Sequence, residues 1–340
     1  MHNTKLRILT RNEVHQLRPP DYLVPRILPR AGFVYLVAPP SSKKTFVAIE
    51  LAACVATGQP FFGKPVQPGN VVYMAAEGQA GIKKRLDAWE KARGILIADK
   101  TFSVIPTAVA LNNPTALKNM AMDLEAHAEK IGGIDLIVID TVNRTLEGDE
   151  NSARDMTVYV QACSQIIKNF NTAMLMLHHP AKTGNSGARG HSALNGAADI
   201  GLEIKSGQQD KFTLKFDAKP PKDDEATAPL NLKIRVVDLS DTLGFDGEGQ
   251  PVTSLVLDQA DGPFSPDVNI PKRVSDISRV SEMIFSSLND GHLRRGEIVS
   301  NVLKQGFTGN PRTIDRALAS LAKDEVIRQP EHGCYELAAP

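Results

Sequence analysis

Five short apolar runs that alternate with helical stretches constrain the fold of this chain most strongly. The runs are GFVYLVA, NVVYMAAE, TFSVIPTA, DLIVIDT and AMLMLHH. Continuous apolar runs of this kind are typical of strands that are buried on both faces of a parallel sheet. The intervening stretches, such as QAGIKKRLDAWEKARG and ENSARDMTVYVQACSQIIKNF, carry helical spacing and cap residues. The sequence therefore predicts an α/β fold in which helices sandwich a parallel sheet.

The pattern changes after residue 200. There, IGLEIKSGQQDKFTLKFDAK and LNLKIRVVDLS alternate apolar and polar residues, with a turn at SGQQD. This pattern predicts an antiparallel extension of the sheet. We expect residues 1–257 to form one domain, with segment 1–30 packed on it. Residues 258–276, rich in Pro, Asp and Gly, are expected to be a linker.

Residues 277–340 are expected to be a separate winged-helix module. Three amphipathic helical patterns precede the strand-like RQPEHGCYELA. In the last of them Asn310 is a cap residue, Pro311 takes the first helical position, and Arg312 and Arg316 share one face. That face would belong to the second helix of a helix-turn-helix and would contact DNA. Winged helices also dock proteins, here possible replication proteins, so both uses remain open.

Composition restricts the classes of partner. The 39 Lys and Arg residues balance the 39 Asp and Glu residues, so any surface for nucleic acid must be local. Three widely spaced cysteines give no zinc or redox pattern and are expected to be small core residues. The chain has no apolar run of the ~20 residues that cross a membrane and no signal-peptide pattern at its start. We therefore expect a cytoplasmic protein without a membrane partner.

The stretch LVAPPSSKKTFVAIELA has the outline of a phosphate-binding loop between a strand and a helix. Aligned with GxxxxGK[ST], Ala38 and Lys43 replace the two glycines, whereas Lys44 and Thr45 keep the phosphate and Mg²⁺ positions. The absence of glycine leaves a proline-rich turn that caps helix 44–56 as the alternative. The expected nucleotide-binding residues are Ala38, Pro39, Pro40, Ser41, Ser42, Lys43, Lys44 and Thr45.

Polar side chains end three further apolar runs. Asp140 follows LIVI and would hold Mg²⁺ together with Thr45. Glu77 ends VVYMAA and would position the attacking water, and His178 and His179 end AMLML, where an imidazole could sense a phosphate. Since ligands of open α/β sheets bind at the carboxyl ends of strands, these groups are expected to share one site.

These motifs together resemble those of the RecA-like ATPases of the plasmid RepA type, which are hexameric helicases of mobile-element replication. The resemblance covers roughly residues 20–257. It rests on PSSKKTFVAIELA, YMAAEGQAGIKKRLDAW, LIVIDTVNRTLEGDENSARDM, LHHPAKTGNSGARGHSALNGAAD and PVTSLVL. It implies that Lys44 and Thr45 bind ATP and Mg²⁺, that Glu77 is the catalytic base, that Asp140 is the Walker B acid, and that His178 or His179 is the sensor. Lys43 departs from the family, which usually has glycine there.

The resemblance also implies residues that act between subunits or on DNA. Arg189, or Lys219 and Arg235, would act across a subunit interface as cationic fingers, which requires a ring or a filament of copies; a homo-oligomeric ring, a hexamer, is expected. Ordinary solvated strand charge is the alternative for the last two. The glycine-rich loop with Lys182, Arg189 and His191 would contact single-stranded DNA, or would otherwise be a plain surface loop.

Two functions follow as hypotheses. One is a ring-forming, ATP-dependent motor on single-stranded DNA that serves replication of a plasmid, phage or other mobile element. The other is a nucleotide-gated DNA-binding scaffold or regulator with little turnover. Glu77 and Asp140 favour the motor, and the missing glycines favour the scaffold.

Overall fold

A computed structural model divides the chain into two compact units, residues 1–266 and 267–340. It describes residues 8–17, 21–39, 41–179, 189–207, 210–219, 227–260, 276–288, 291–305, 307, 312–323, 326–331 and 333–337. The two units are described separately below.

A nine-stranded sheet forms the centre of the first unit. Its parallel strands are β3 (Phe33–Val37), β4 (Val71–Ala75), β5 (Phe102–Ile105), β6 (Leu136–Asp140), β7 (Ala173–His178) and β8 (Ile200–Ser206). Strands β9 (Lys211–Lys219), β10 (Leu230–Asp238) and β11 (Thr253–Gln259) extend it in antiparallel order. The full order is β11-β10-β9-β8-β3-β7-β6-β4-β5. The predicted α/β class with an antiparallel extension is confirmed.

The described residues of the first unit form eight α-helices. They are α1 (Arg11–His15), α2 (Lys44–Thr57), α3 (Ile82–Arg93), α4 (Pro114–Ile131), α5 (Val142–Thr145), α6 (Ala153–Phe170), α7 (Arg189–Ala197) and α8 (Ser240–Leu243). Residues 79–81 form a 3₁₀ turn before α3. Glycines end two of these helices. Gly58 follows α2 and Gly94 follows α3, both in the left-handed conformation that glycine adopts without strain.

Two apolar layers hold the sheet. Side chains of α2 and α3 pack on one face, and side chains of α4 and α6 pack on the other. The hairpin of β1 (Tyr22–Val24) and β2 (Leu28–Pro29) joins the first layer. Helix α1 buries no residue, so within segment 1–30 the packing that the structure describes comes from this hairpin.

The described residues of the second unit form helices and an antiparallel sheet. The helices are α9 (Asp276–Leu288), α10 (Arg295–Lys304) and α11 (Arg312–Lys323), and the strands are β12 (Leu293–Arg294), β13 (Ile327–Glu331) and β14 (Cys334–Leu337) in the order β12-β14-β13. A separate apolar core joins them. The winged-helix interpretation stays a prediction.

The structure bears on the expected linker, on the cysteines and on the expected absence of a membrane span. The expected linker 258–276 begins inside β11, and residues 261–275 lie outside the described residues. Cys54, Cys163 and Cys334 are buried and unpaired. Of the helices that the structure describes, none combines the length and the apolar character that crossing a bilayer requires.

Candidate functional site

A cavity of about 490 Å³ opens at the carboxyl ends of the parallel strands. It lies where β3, β4, β6 and β7 end, because these strands are neighbours in the sheet and point in the same direction. The loop before α2, the start of α3 and the residues that follow β6 and β7 line it: Ser41, Ser42, Lys43, Lys44, Thr45, Phe46, Glu77, Arg85, Asp140, Thr141 and His179. Groups that lie far apart in the sequence thus converge on one cavity.

The loop before α2 contains two left-handed residues that are not glycine. Lys43, at the position that glycine usually occupies, has a φ of 69°, and Ser41 has a φ of 63°. Both angles lie in the left-handed region, which costs a side chain with a Cβ roughly 1–2 kcal/mol. Ala38, at the other glycine position, is buried and has no positive φ. Lys43 and Ser41 therefore carry conformational strain.

Lys44 begins α2 and directs its ammonium group into this loop. Its Nζ lies 2.7 Å from the Ala38 carbonyl oxygen, 3.0 Å from that of Pro39 and 3.0 Å from His179 Nδ1. Burial lowers the Lys44 pKa to about 8, although Asp140 and Glu77 favour the charged form. Among the described residues, this buried ammonium group at a helix N-terminus contacts two carbonyl oxygens and an imidazole, which makes it a suitable partner for a phosphate.

Thr45 and Asp140 join the loop helix to β6. Thr45 Oγ1 donates a hydrogen bond to Asp140 Oδ2 at 2.9 Å, and the Tyr73 hydroxyl donates to the same oxygen at 2.8 Å. Burial raises the Asp140 pKa against the effect of these two hydrogen bonds. Tyr73 was not among the expected site residues, although its polar hydroxyl in a fully buried strand was a usable signal.

Glu77 follows β4 and stays exposed to solvent inside the cavity. Its backbone N–H donates to the Asp140 carbonyl oxygen at 2.9 Å, and Thr141 Oγ1 donates to Glu77 Oε2 at 3.3 Å. The carboxylate is therefore oriented by the neighbouring strand and keeps its second oxygen for a water molecule.

The two histidines after β7 occupy different environments. His178 is a buried residue of β7, paired in register with Val37 of β3. His179 lines the cavity and meets Lys44. Burial, and then the Lys44 charge, lower the His179 pKa, so the neutral imidazole is favoured. His179 is thus the better placed of the two for contact with a phosphate.

Arg85 and Phe46 line the cavity and were missed by the sequence analysis. The Arg85 guanidinium lies 5.6 Å from the centroid of the Phe46 ring, and its Nη1 donates to the Gly78 carbonyl oxygen at 3.3 Å. The available signal was position, because Arg85 lies in the first turn of α3, the helix that follows the strand of Glu77. Arg85 adds a third cationic side chain to the cavity wall, after Lys43 and Lys44.

The expected finger residues of the antiparallel extension are paired within their own chain. Arg235 Nε and Nη2 donate to Asp258 at 2.6 and 3.3 Å. Lys219 Nζ donates to the carbonyl oxygens of Asn195 and Gly196 at the end of α7. An action across a subunit interface would require these side chains to leave their present partners, and their role stays a prediction.

Several other expected site residues fall outside what the structure describes. Pro40 and Lys182 are not among the described residues. Arg189 and His191 belong to α7, and Arg312 and Arg316 to α11, but only their backbone is described. The place of Pro40 in the nucleotide-binding loop stays a prediction. The assignment of the other five residues to DNA contact also stays a prediction.

The donor set fits a magnesium ion that shares its ligands with a phosphate. Thr45 and Asp140 supply a hydroxyl and a carboxylate oxygen at the cavity wall, and Mg²⁺ prefers such oxygen donors. Among the described residues, no cluster of three or more His, Cys, Asp or Glu side chains could hold a metal by itself. An ion here would therefore need phosphate or water oxygens to complete its shell.

A comparison with known protein families identifies the larger part of this unit. Residues 3–185 match the family model described as the AAA domain. This range contains the loop before α2 and the strands that end in Glu77, Asp140 and His178. A search of curated proteins gave no match.

Proposed function

The chain belongs to the AAA domain family of P-loop ATPases, and from this premise we propose that it is an ATP-dependent, ring-forming motor on single-stranded DNA. Family membership implies nucleotide binding and, in general, ATP hydrolysis. The finer proposal is a helicase that acts in the cytoplasm in replication of a plasmid, phage or other mobile element.

One observation carries the catalytic part of this proposal. Lys44, the Thr45–Asp140 pair, Glu77 and His179 line one cavity at the ends of four neighbouring strands. A purely structural site would have little reason to collect a buried cation, a buried carboxylate and an exposed carboxylate there, because burying charged groups costs free energy. The arrangement supports phosphoryl transfer to water.

Each side chain would have a separate role in hydrolysis. Glu77 would accept a proton from the water that attacks the γ-phosphorus, while the bond between that phosphorus and the β–γ bridging oxygen breaks and ADP leaves. Lys44 would hold the phosphate oxygens, and Arg85 would add positive charge from the edge of the cavity. His179, in contact with Lys44, would respond to the presence of the γ-phosphate.

Magnesium would be held by Asp140 and Thr45. When bound, it would neutralise phosphate charge. The 2.9 Å hydrogen bond between these two side chains keeps both oxygen donors at the same wall of the cavity. The Tyr73 hydroxyl donates a second hydrogen bond to the same Asp140 oxygen and helps to fix the carboxylate.

The assembly and DNA parts of the proposal rest on position along the chain. In the sequence, residues 180–191, which include Lys182, Arg189 and His191, follow His179 directly, and α7 begins at Arg189. A change at His179 would therefore be transmitted to the segment that we assign to single-stranded DNA. Arg312 and Arg316 on α11 would provide a second DNA contact or a docking face for replication proteins.

The test combines calorimetry with turnover. We expect Mg-ATP to bind the parent protein and not the Lys44→Ala variant, and single-stranded DNA to raise the rate of phosphate release by the assembled protein. Equal, negligible heats of binding from both proteins would mean that the loop does not bind the nucleotide and is only a proline-rich turn. Hydrolysis that does not respond to DNA would refute the motor.

The geometry of the loop also favours a second candidate, the nucleotide-gated scaffold. Lys43 is strained, and the Lys44 ammonium is already bound by the carbonyl oxygens of Ala38 and Pro39. Nucleotide binding must replace these contacts, which lowers the net gain in free energy. Mg-ATP binding that changes DNA affinity without measurable turnover would favour the scaffold over the motor.

A further inference from the structure

Apolar side chains in and next to helix α1 are exposed to solvent. The helix has five residues, buries none of them, and begins with a complete capping box between Thr10 and Glu13. Val14 within α1 is 51% exposed, and Ile8 and Leu17, which flank the helix, are 87% and 52% exposed. A helix this short is unstable in water without a packing surface, since isolated helices need roughly 12–15 residues. Its apolar side is therefore expected to pack against another surface.

An open cleft lies on the same unit, and within the described part of the chain no element covers it. It lies between α4 and β5, has a volume of about 520 Å³, and borders the edge of the nine-stranded sheet, where β4 is the one described strand that pairs with β5. Residues of α4 at helical spacing line one wall: Ala116, Asn119, Met120, Asp123, Leu124 and His127. The volume suits two or three side chains of a partner.

The cleft has an apolar floor and one available charge. Met120 and Leu124 are nearly fully buried at its base. His127 Nε2 already meets Ser103 Oγ at 2.7 Å across the cleft. The Asp123 carboxylate lies exposed at the rim and makes no ion pair within the described part of the chain. A partner with two apolar side chains and a nearby cation would satisfy these groups.

We propose that α1 of one copy of this chain docks in the α4–β5 cleft of a second copy. Val14 and Leu17, three residues apart, would pack on Met120 and Leu124, and Arg11 would pair with Asp123. In its own chain α1 buries no residue. This inference rests on the proposed function, because it names the contact that would assemble the proposed ring.

The contact is head-to-tail, because the docking helix and the cleft are different surfaces of the chain. Heterologous contacts of this kind generate closed rings when the rotation between copies closes, and open filaments when it does not. The surface therefore supplies a means of assembly that needs neither the nucleotide nor the finger residues.

The first test measures mass in solution as a function of protein concentration, with the full chain. We expect the double variant Val14→Asp, Leu17→Asp to need at least about tenfold more protein to assemble than the parent. The matched control is Met122→Asp. It introduces one carboxylate of the same kind at a residue of α4 that is 58% exposed and does not line the cleft. Unchanged assembly of the double variant would overturn the inference. All changed side chains are exposed, and circular dichroism would verify the fold.

The second test exchanges the charges. Arg11→Asp and Asp123→Arg should each weaken assembly, and the chain that carries both should regain most of it, because the ion pair is restored in reverse. Loss of assembly in the doubly exchanged chain equal to the sum of the two single losses would contradict the pairing.

The outcomes separate this inference from the proposed function. A double variant Val14→Asp, Leu17→Asp that assembles like the parent, and hydrolyses Mg-ATP as the parent does, overturns the docking inference and leaves the proposed function standing. An assembly that depends on Val14 and Leu17 but shows no ATP binding supports the docking and refutes the proposed activity.

Discussion

Thr45 Oγ1 and Asp140 Oδ2 lie 2.9 Å apart and share a hydrogen bond, although 95 positions separate the two residues in the sequence. The bond fastens the first turn of α2 to the end of β6. It therefore fixes the distance between the loop that would bind a phosphate and the carboxylate that would hold magnesium. The glycine-free loop is attached to this fixed point, so its strained residues do not displace the functional groups.

We predict that Lys43→Gly stabilises the protein by about 1 kcal/mol. Lys43 has a φ of 69°, which glycine adopts without a Cβ penalty. Urea unfolding of the nucleotide-free protein measures this change, and calorimetry then shows whether release of the strain also tightens Mg-ATP binding.

Two matched variants control for that result. Lys43→Ala removes the same long side chain but keeps the Cβ, so it should not gain stability. Ala38→Gly changes the other glycine position, where φ is not positive, and should lower stability by roughly 0.5–1 kcal/mol. A gain in all three variants would mean that backbone strain at Lys43 is not the cause.

We predict that Glu77→Gln suppresses hydrolysis by a factor of about 10²–10⁴ while ATP affinity stays nearly constant. The carboxylate is exposed in the cavity and oriented by Thr141, so it serves the attacking water and not the bound nucleotide. Phosphate release and calorimetry on the same preparation check this. Hydrolysis at the parental rate would exclude Glu77 as the base.

The fold was largely predictable from apolar periodicity. The runs that end near Val37, Ala75, Asp140 and His178 all became strands of the parallel sheet, because continuous apolar runs between helices have few other ways to be buried. Helix α4 was not predicted, although Asn113 caps it and Pro114 begins it. Its mixed polar and apolar surface gives a weaker signal than the strands do.

The site was predictable where a motif or a strand end marked it. Lys44 and Thr45 match the phosphate-loop pattern at the start of α2, Asp140 is the last residue of β6, and Glu77 comes two residues after β4. Arg85 reaches the cavity from a helix, and its position depends on how α3 packs on the sheet, which sequence spacing does not specify. The choice between His178 and His179 likewise needed the structure, because a one-residue shift reverses the face of a strand.

We predict that a finger residue acts between subunits. Arg189→Ala, or failing that Lys219→Ala or Arg235→Ala, should reduce turnover without changing the fold. Mixing such a variant with Lys44→Ala should restore activity, because the intact finger of one chain then meets the intact loop of the other. Random mixing of equal amounts forms about a quarter of such interfaces. The absence of rescue at every mixing ratio, for all three positions, would exclude fingers in trans.

The buried Lys44 should give the protein a characteristic pH dependence. Its pKa falls from 10.5 in the unfolded chain to about 8 in the folded protein, so between these values the unfolded chain binds more protons and the parent gains stability as pH rises. Below pH 8 the cost of burying the charge is fully present. Lys44→Met lacks this group, so the parent's free energy of unfolding should rise relative to the variant's between pH 8 and 10.5. Urea unfolding of both proteins at several pH values measures the difference, and parallel profiles would contradict it.

Mg-ATP affinity of the parent should fall over the same range, because a neutral Lys44 no longer attracts the phosphate.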